Sequence, residues 1–302
     1  MADRFPFRGT EWPTLALIAA TYAVWALGTG WLYGAAPVLG WIATVLAVAQ
    51  FSSLQHEALH GHPFRNRLLN EALVFPALTV FVPYRRFRET HIAHHRDPLL
   101  TDPYDDPESN YLDPAVWSRL SRPARRLLRL NNTLLGRIVL GPAIGTVVFL
   151  RDDWRKVRAG NRAIARAWLL HGVGLMLVLA WLWRVGQMPL WAYLLAAYAA
   201  YGLLKIRTFL EHRAHEAAPQ RTVIIEDRGP LAVLFLFNNL HVVHHMYPGV
   251  PWYRLPRLYA EGRARFLEVN GGYVYRSYGE IFRRHLLRAK DPVPHPFYRS
   301  AR

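Results

Sequence analysis

The chain has 302 residues, 52% of them hydrophobic, a formal net charge of +16 and no cysteine. Without cysteine, disulfides, thiolate zinc sites and the usual protein-bound iron–sulfur clusters are excluded. The positive charge sits in Arg-rich stretches beside long apolar runs, so the positive-inside rule explains it and a nucleic-acid partner is not expected.

A membrane helix needs about 20 mainly apolar residues, and four runs qualify. The first, residues 13–33, lacks a small-residue cleavage site and is followed by a second span, so it reads as an anchor. The second covers 37–54, and the turn GAAP joins the two. HEALHGH runs on from the second span until Pro63 closes it. The apolar stretch 72–82 would reach only about 17 Å as a helix. It contains Pro76 and precedes Pro83, so it dips into the membrane or lies flat. YRRFRETHIAHH follows, and then an acidic run with Asp97, Asp102, Asp105 and Asp106. These aspartates suit a solvated loop balancing nearby arginines as well as they suit a site. Residues 133–150 are long enough to cross but carry Arg137 and the pair Gly141-Pro142. Crossing would expose the loop RDDWRKVRAGNR on the uncharged side, so the stretch reads as interfacial. The third span covers 164–183 and the fourth 189–210, joined by RVGQM. Trp12, Trp31 and Trp191 lie near helix ends, where aromatic anchors belong. EHRAH is expected to continue the fourth helix into water. HVVHH and a short basic tail after about Arg283 complete the chain.

The expected fold is therefore all-α and integral to the membrane, with four transmembrane helices in two hairpins. Residues 55–163 and 211–302 form a cytoplasmic helical cap holding a histidine-rich di-metal site, and residues 1–302 make one domain. Both termini face the cytoplasm, a layout that suits a bacterial inner membrane.

Eleven of the 14 histidines fall into four clusters. They are His56, His60 and His62; His91, His94 and His95; His212 and His215; and His241, His244 and His245. HxxHH occurs twice, and on a helix it places imidazoles on one face. Imidazole suits iron, copper, zinc and nickel, and these donors exceed one coordination sphere. HEALH also matches the HExxH motif of zinc proteases, but one zinc leaves the other clusters without a role. A metal transporter would place ligands near the bilayer midplane, whereas these sit at helix ends and in loops. His171, His285 and His295 stand outside the clusters and read as ordinary structural residues.

HEALH, HIAHH about thirty residues on, and HVVHH far downstream resemble the three histidine boxes of membrane fatty acid desaturases. That superfamily also contains alkane and fatty acid hydroxylases and carotenoid ketolases. The contexts YRRFRETHIAHH and NNLHVVHHMYPGVPWYRLP agree with it, and the resemblance covers about Gln50 to Pro256. It implies a non-haem di-iron centre with two Fe ions, O2 as cosubstrate and a membrane lipid or acyl substrate. The metal ligands it implies are His56, His60, His91, His94, His95, His212, His241, His244 and His245. Glu57, His62, Glu211, His215 and Asn239 are candidates for orienting those imidazoles. Fatty acyl desaturation is the first expectation; hydroxylation or ketone formation on fatty acids, alkanes or carotenoids is the alternative. The chain shows no HPGG haem motif and no GxGxxG after a strand, so a separate electron donor, ferredoxin or similar, is implied. Arg85, Arg86, Arg88, Arg125, Arg126 and Arg129 suit an acidic carrier or lipid headgroups.

Overall fold

The computed structural model describes residues 9–97 and 99–298. The termini expected to face the cytoplasm lie outside the described residues. The fold is mostly helical, and its long elements start where the local chemistry directs. Helix α1 is Trp12–Thr29 and α2 is Pro37–Leu59, each with proline in its first turn, where no backbone N–H is needed. Helix α3 is Tyr84–Arg96 and α4 is Gly141–Arg158. Helix α5, Arg162–Arg184, is capped by the Asn161 side chain, which accepts from the Ile164 N–H. Helix α6 is Leu190–Thr208, α7 is His241–Met246 and α8 is Leu255–Val269.

Among the described residues, three helices are long and apolar enough to cross a membrane: Trp12–Ala35, which is α1 with a short continuation, Pro37–Leu59 and Arg162–Arg184. These make the chain a membrane protein by length and composition. Helix α6 occupies the fourth expected span but stands outside that set. Tyr193, Tyr198, Tyr201, Lys205 and Arg207 dilute its apolar character.

The described chain divides into two compact units. The first takes residues up to 88 and 142–204. Here α1 approaches α2 closely at Gly28, where a Cβ would meet Thr44 Oγ1 at 2.8 Å. Small residues permit such close helix contact in lipid. Tyr193 is fully buried, donates to the Leu78 carbonyl at 2.9 Å and receives the Trp25 indole N–H at 3.2 Å. The stretch 72–82 is the end of a short helix followed by turns. It packs on α5, where a Cβ on Gly174 would lie 2.4 Å from the Phe75 carbonyl oxygen.

The second unit takes 89–141 and 205–302. Two short parallel strands, Ile224–Ile225 and Val274–Tyr275, pair within it. Ile224, Val242, Val243, Leu255 and Phe266 form its core, fixing α7 against α8.

Two expectations need correction. EHRAH does not continue the fourth helix, which ends at Thr208; His212 instead bridges Thr222 in antiparallel fashion. RDDWRKVR is helix rather than loop, because Asp153 is buried against Arg86, with contacts of 2.8–3.1 Å. That pair, within the first unit, also removes Arg86 from any docking surface. The described part of the short basic tail after Arg283 is tied to earlier chain by backbone hydrogen bonds. Lys290 N donates to Asn132 O, Leu112 N to Val293 O, and His295 N to Leu112 O.

Candidate metal centre

In the second unit, α3 delivers His91, His94 and His95 and α7 delivers His241, His244 and His245. His212 comes from the bridge after α6. The HxxHH spacing does not keep each box together. The i and i+4 members of a box stay paired while the i+3 member turns to the other group. His94, His212, His241 and His245 form one group, with donor atoms all within 4.8 Å of one another. His91, His95 and His244 form another. The rings of His95 and His245 stack at 4.2 Å, so the groups adjoin.

The closest atoms are Nε2 atoms facing Nε2 atoms. His94 to His212 is 2.9 Å, His212 to His241 is 3.1 Å and His241 to His245 is 3.2 Å. In the other group, His91 to His95 is 3.0 Å and His95 to His244 is 3.1 Å. A neutral imidazole has one N–H. Asp106 Oδ1 lies 2.7 Å from His94 Nδ1, and Glu108 Oε1 lies 2.8 Å from His91 Nδ1. Each carboxylate holds the proton on Nδ1 and leaves Nε2 as a bare lone pair. Asn238 Oδ1 does the same for His241 at 3.2 Å. Hydrogen bonds cannot satisfy every one of these converging lone pairs, whereas a central cation can. Two nitrogens about 2.1 Å from one ion, set about 90–110° apart, lie about 3.0–3.4 Å from each other. The donor set therefore fits a metal ion.

Electrostatics agree. Burial and neighbouring histidines hold His212, His241 and His245 well below the usual imidazole range, and His95 falls to about 3. These rings are neutral donors. Burial pulls His94 down too, but Glu108 and Asp106 outweigh it and raise it to about 9, so a cation competes there with a proton. Burial would raise Glu108, yet His91 and His94 hold it well below the carboxylate range and keep it ionised.

The first unit holds His56 and His60 at the end of α2, with ring centroids 4.9 Å apart. His62 is buried there and paired through Nδ1 with Glu11 at 2.6 Å. Glu57 is buried on α2 and acts on His62 by its charge. Glu211 lies 3.8 Å from His241 Nδ1 and 3.2 Å from Arg207. His215 does not join either group; its Nδ1 accepts from the Ala217 N–H. Asn239 instead donates to the carbonyls of Ile225 and Asp227, and its neighbour Asn238 orients His241. His171, His285 and His295 bond to Val80 O, Tyr275 and Thr101 respectively, outside both groups. Glu108 and Asn238 were missed by sequence reasoning. Asp106 was visible only as one of four acids, and nothing in the spacing singles it out.

A helical membrane chain whose imidazoles converge in this way is a histidine-box oxidoreductase by class. It belongs to the fatty acid desaturase family, whose model matches residues 29–277. Among curated proteins it is 28% identical over 233 residues to a beta-carotene ketolase from Paracoccus sp. (strain N81106 / MBIC 01143), covering 74% of this chain and 77% of that one. It is also 28% identical over 261 residues to a beta-carotene ketolase from Paracoccus sp. (strain PC1), covering 80% and 90%.

Proposed function

We propose that this protein is an O2-dependent membrane oxygenase that turns a methylene of a carotenoid-like lipid into a ketone. The observation that carries this reading over the rest of the family is the likeness to two beta-carotene ketolases across most of the chain. The metal assigned is iron, two ions per chain. His94, His212, His241 and His245 hold one, and His91, His95 and His244 contribute to the other. His56 and His60 are assigned as ligands on the strength of the box pattern.

An unactivated C–H bond offers no acid–base handle, so the oxidising power comes from the cofactor. Iron bound at these imidazoles supplies a means of activating O2 beside such a bond. The chain's own residues set the conditions. All the donors are neutral nitrogen, so none of the ion's charge is cancelled by the ligands. Asp106 and Glu108 fix ring orientation and keep Nδ1 protonated, which raises ligand basicity. Ketone formation by way of the alcohol consumes two O2 and four electrons, with water as the other product. A separate carrier delivers those electrons, and the basic face including Arg126 and Arg129 suits an acidic one. The charge pattern supports a cytoplasmic position for the histidines, and in this reading α6 serves as a fourth span.

Fatty acyl desaturation is the second reading, favoured by the family description. Expression in a host that makes β-carotene and has known lipids separates the two by mass spectrometry. A carotenoid gaining one oxygen and losing two hydrogens is expected. Acyl chains losing two hydrogens, with carotenoids unchanged, would overturn the ketolase reading in favour of desaturation.

A further inference from the structure

His94, His91 and His241 each have an oxygen on Nδ1, but His212 does not. Its Nδ1 is buried with no hydrogen-bond partner among the described residues. Metal-bound histidines depend on such partners for ring orientation. What holds His212 is its backbone. Lys290 Nζ donates to the His212 carbonyl at 2.8 Å, across 78 residues of chain. The Lys290 side chain is only 5% exposed. A buried ammonium needs compensation, and Asp291 Oδ2 provides it at 3.4 Å. Asp291 is anchored in turn. Asn132 Nδ2 donates to its backbone oxygen at 2.6 Å, and the Tyr111 hydroxyl donates to its carboxylate. The same hydroxyl accepts the Ala214 N–H at 2.8 Å, two residues past His212. Two fixed points thus hold the backbone at and just after His212, and both trace to residues 290–291.

We propose that Lys290 is the positioning residue for His212, clamping the backbone of the one ligand of its group that leaves the helices and lacks a ring partner. The proposal rests on the histidine group being a metal site. It is tested on the full chain in detergent, stripped by chelator and titrated with Co2+ alone. Stoichiometry, affinity and the d–d absorption of bound Co2+ are read for wild type, Lys290→Met and Lys290→Arg. Wild type should take two ions. Lys290→Met should bind one of them about 10–100-fold more weakly with an altered d–d band. Lys290→Arg, which keeps a cationic donor, should recover part of both. Lys290→Met titrating and absorbing as wild type overturns the proposal. Wild type binding no Co2+ overturns the metal reading and the proposal with it, a distinct pattern. Should Lys290→Met not fold, Tyr111→Phe removes the second fixed point. Its expected change is in the same ion at smaller magnitude, and full wild-type behaviour there overturns the clamp.

Discussion

Asp106→Asn is a change of one atom with a large expected effect. Asp106 Oδ1 accepts from His94 Nδ1 at 2.7 Å and from the Glu108 N–H at 2.9 Å, while Oδ2 accepts from the Thr101 N–H at 2.8 Å. Both backbone donors are fixed, and Thr101 is further constrained by its left-handed φ of 77°. The side chain must therefore accept on both oxygens. An asparagine has one oxygen to give. If it serves Thr101, its NH2 faces His94 Nδ1 and the Glu108 N–H. His94 can then pair only by moving its proton to Nε2, the atom that should face the ion. If the amide turns the other way, its NH2 meets the Thr101 N–H. Either way a charge-assisted hydrogen bond is lost, worth about 1.5–3 kcal/mol. Each 1.4 kcal/mol is about tenfold in binding, so about 10–100-fold weaker metal binding at the His94 group is expected. Co2+ titration of stripped protein measures it, with thermal melting as the folding control. Affinity within about twofold of wild type would refute the tautomer reasoning.

Glu108→Gln should weaken the ion held by His91, His95 and His244 more than the other, and two-site titration resolves which is affected. His212→Ala should remove one metal and abolish product formation, whereas His215→Ala should keep both metals, since His215 stands outside both groups; iron content and product assay decide, and the reverse result would move the ligand to His215. Two irons per chain are expected in active protein, and a single zinc with activity surviving iron removal would sink the di-iron assignment. For sidedness, Arg155→Cys should label only after the cytoplasmic face is opened and Ala36→Cys from outside, a clean assay in a chain without cysteine. External labelling at 155 would overturn the topology.

The features legible in the sequence were those written in neighbouring residues. Apolar runs marked α1, α2 and α5, and the two HxxHH boxes marked the helical turns that carry six of the donors. The rest depends on partners far along the chain. EHRAH has good helical spacing, yet His212 leaves the helix to bridge Thr222, a pairing no local pattern announces. Asp106 and Glu108 reach the histidines from a loop whose shape turns on Thr101. Asn238 and Asn239 are adjacent, and only the turn before α7 decides which of them faces His241. Arg86 looked like surface charge because its partner Asp153 is 67 residues away.

The long separations among the donors also set a timetable for synthesis. His94 meets His212 across 118 residues, and His95 meets His244 across 149. While the ribosome is still making that intervening chain, the second box lacks His212 and the third box, and its three imidazoles beside a carboxylate loop are open to whatever divalent ion the cell offers. The finished pockets exist only once α7 has emerged. On the proposed metal reading, the complete donor sets become available only after α7 has been made, so metal binding by both groups is a late event in biogenesis.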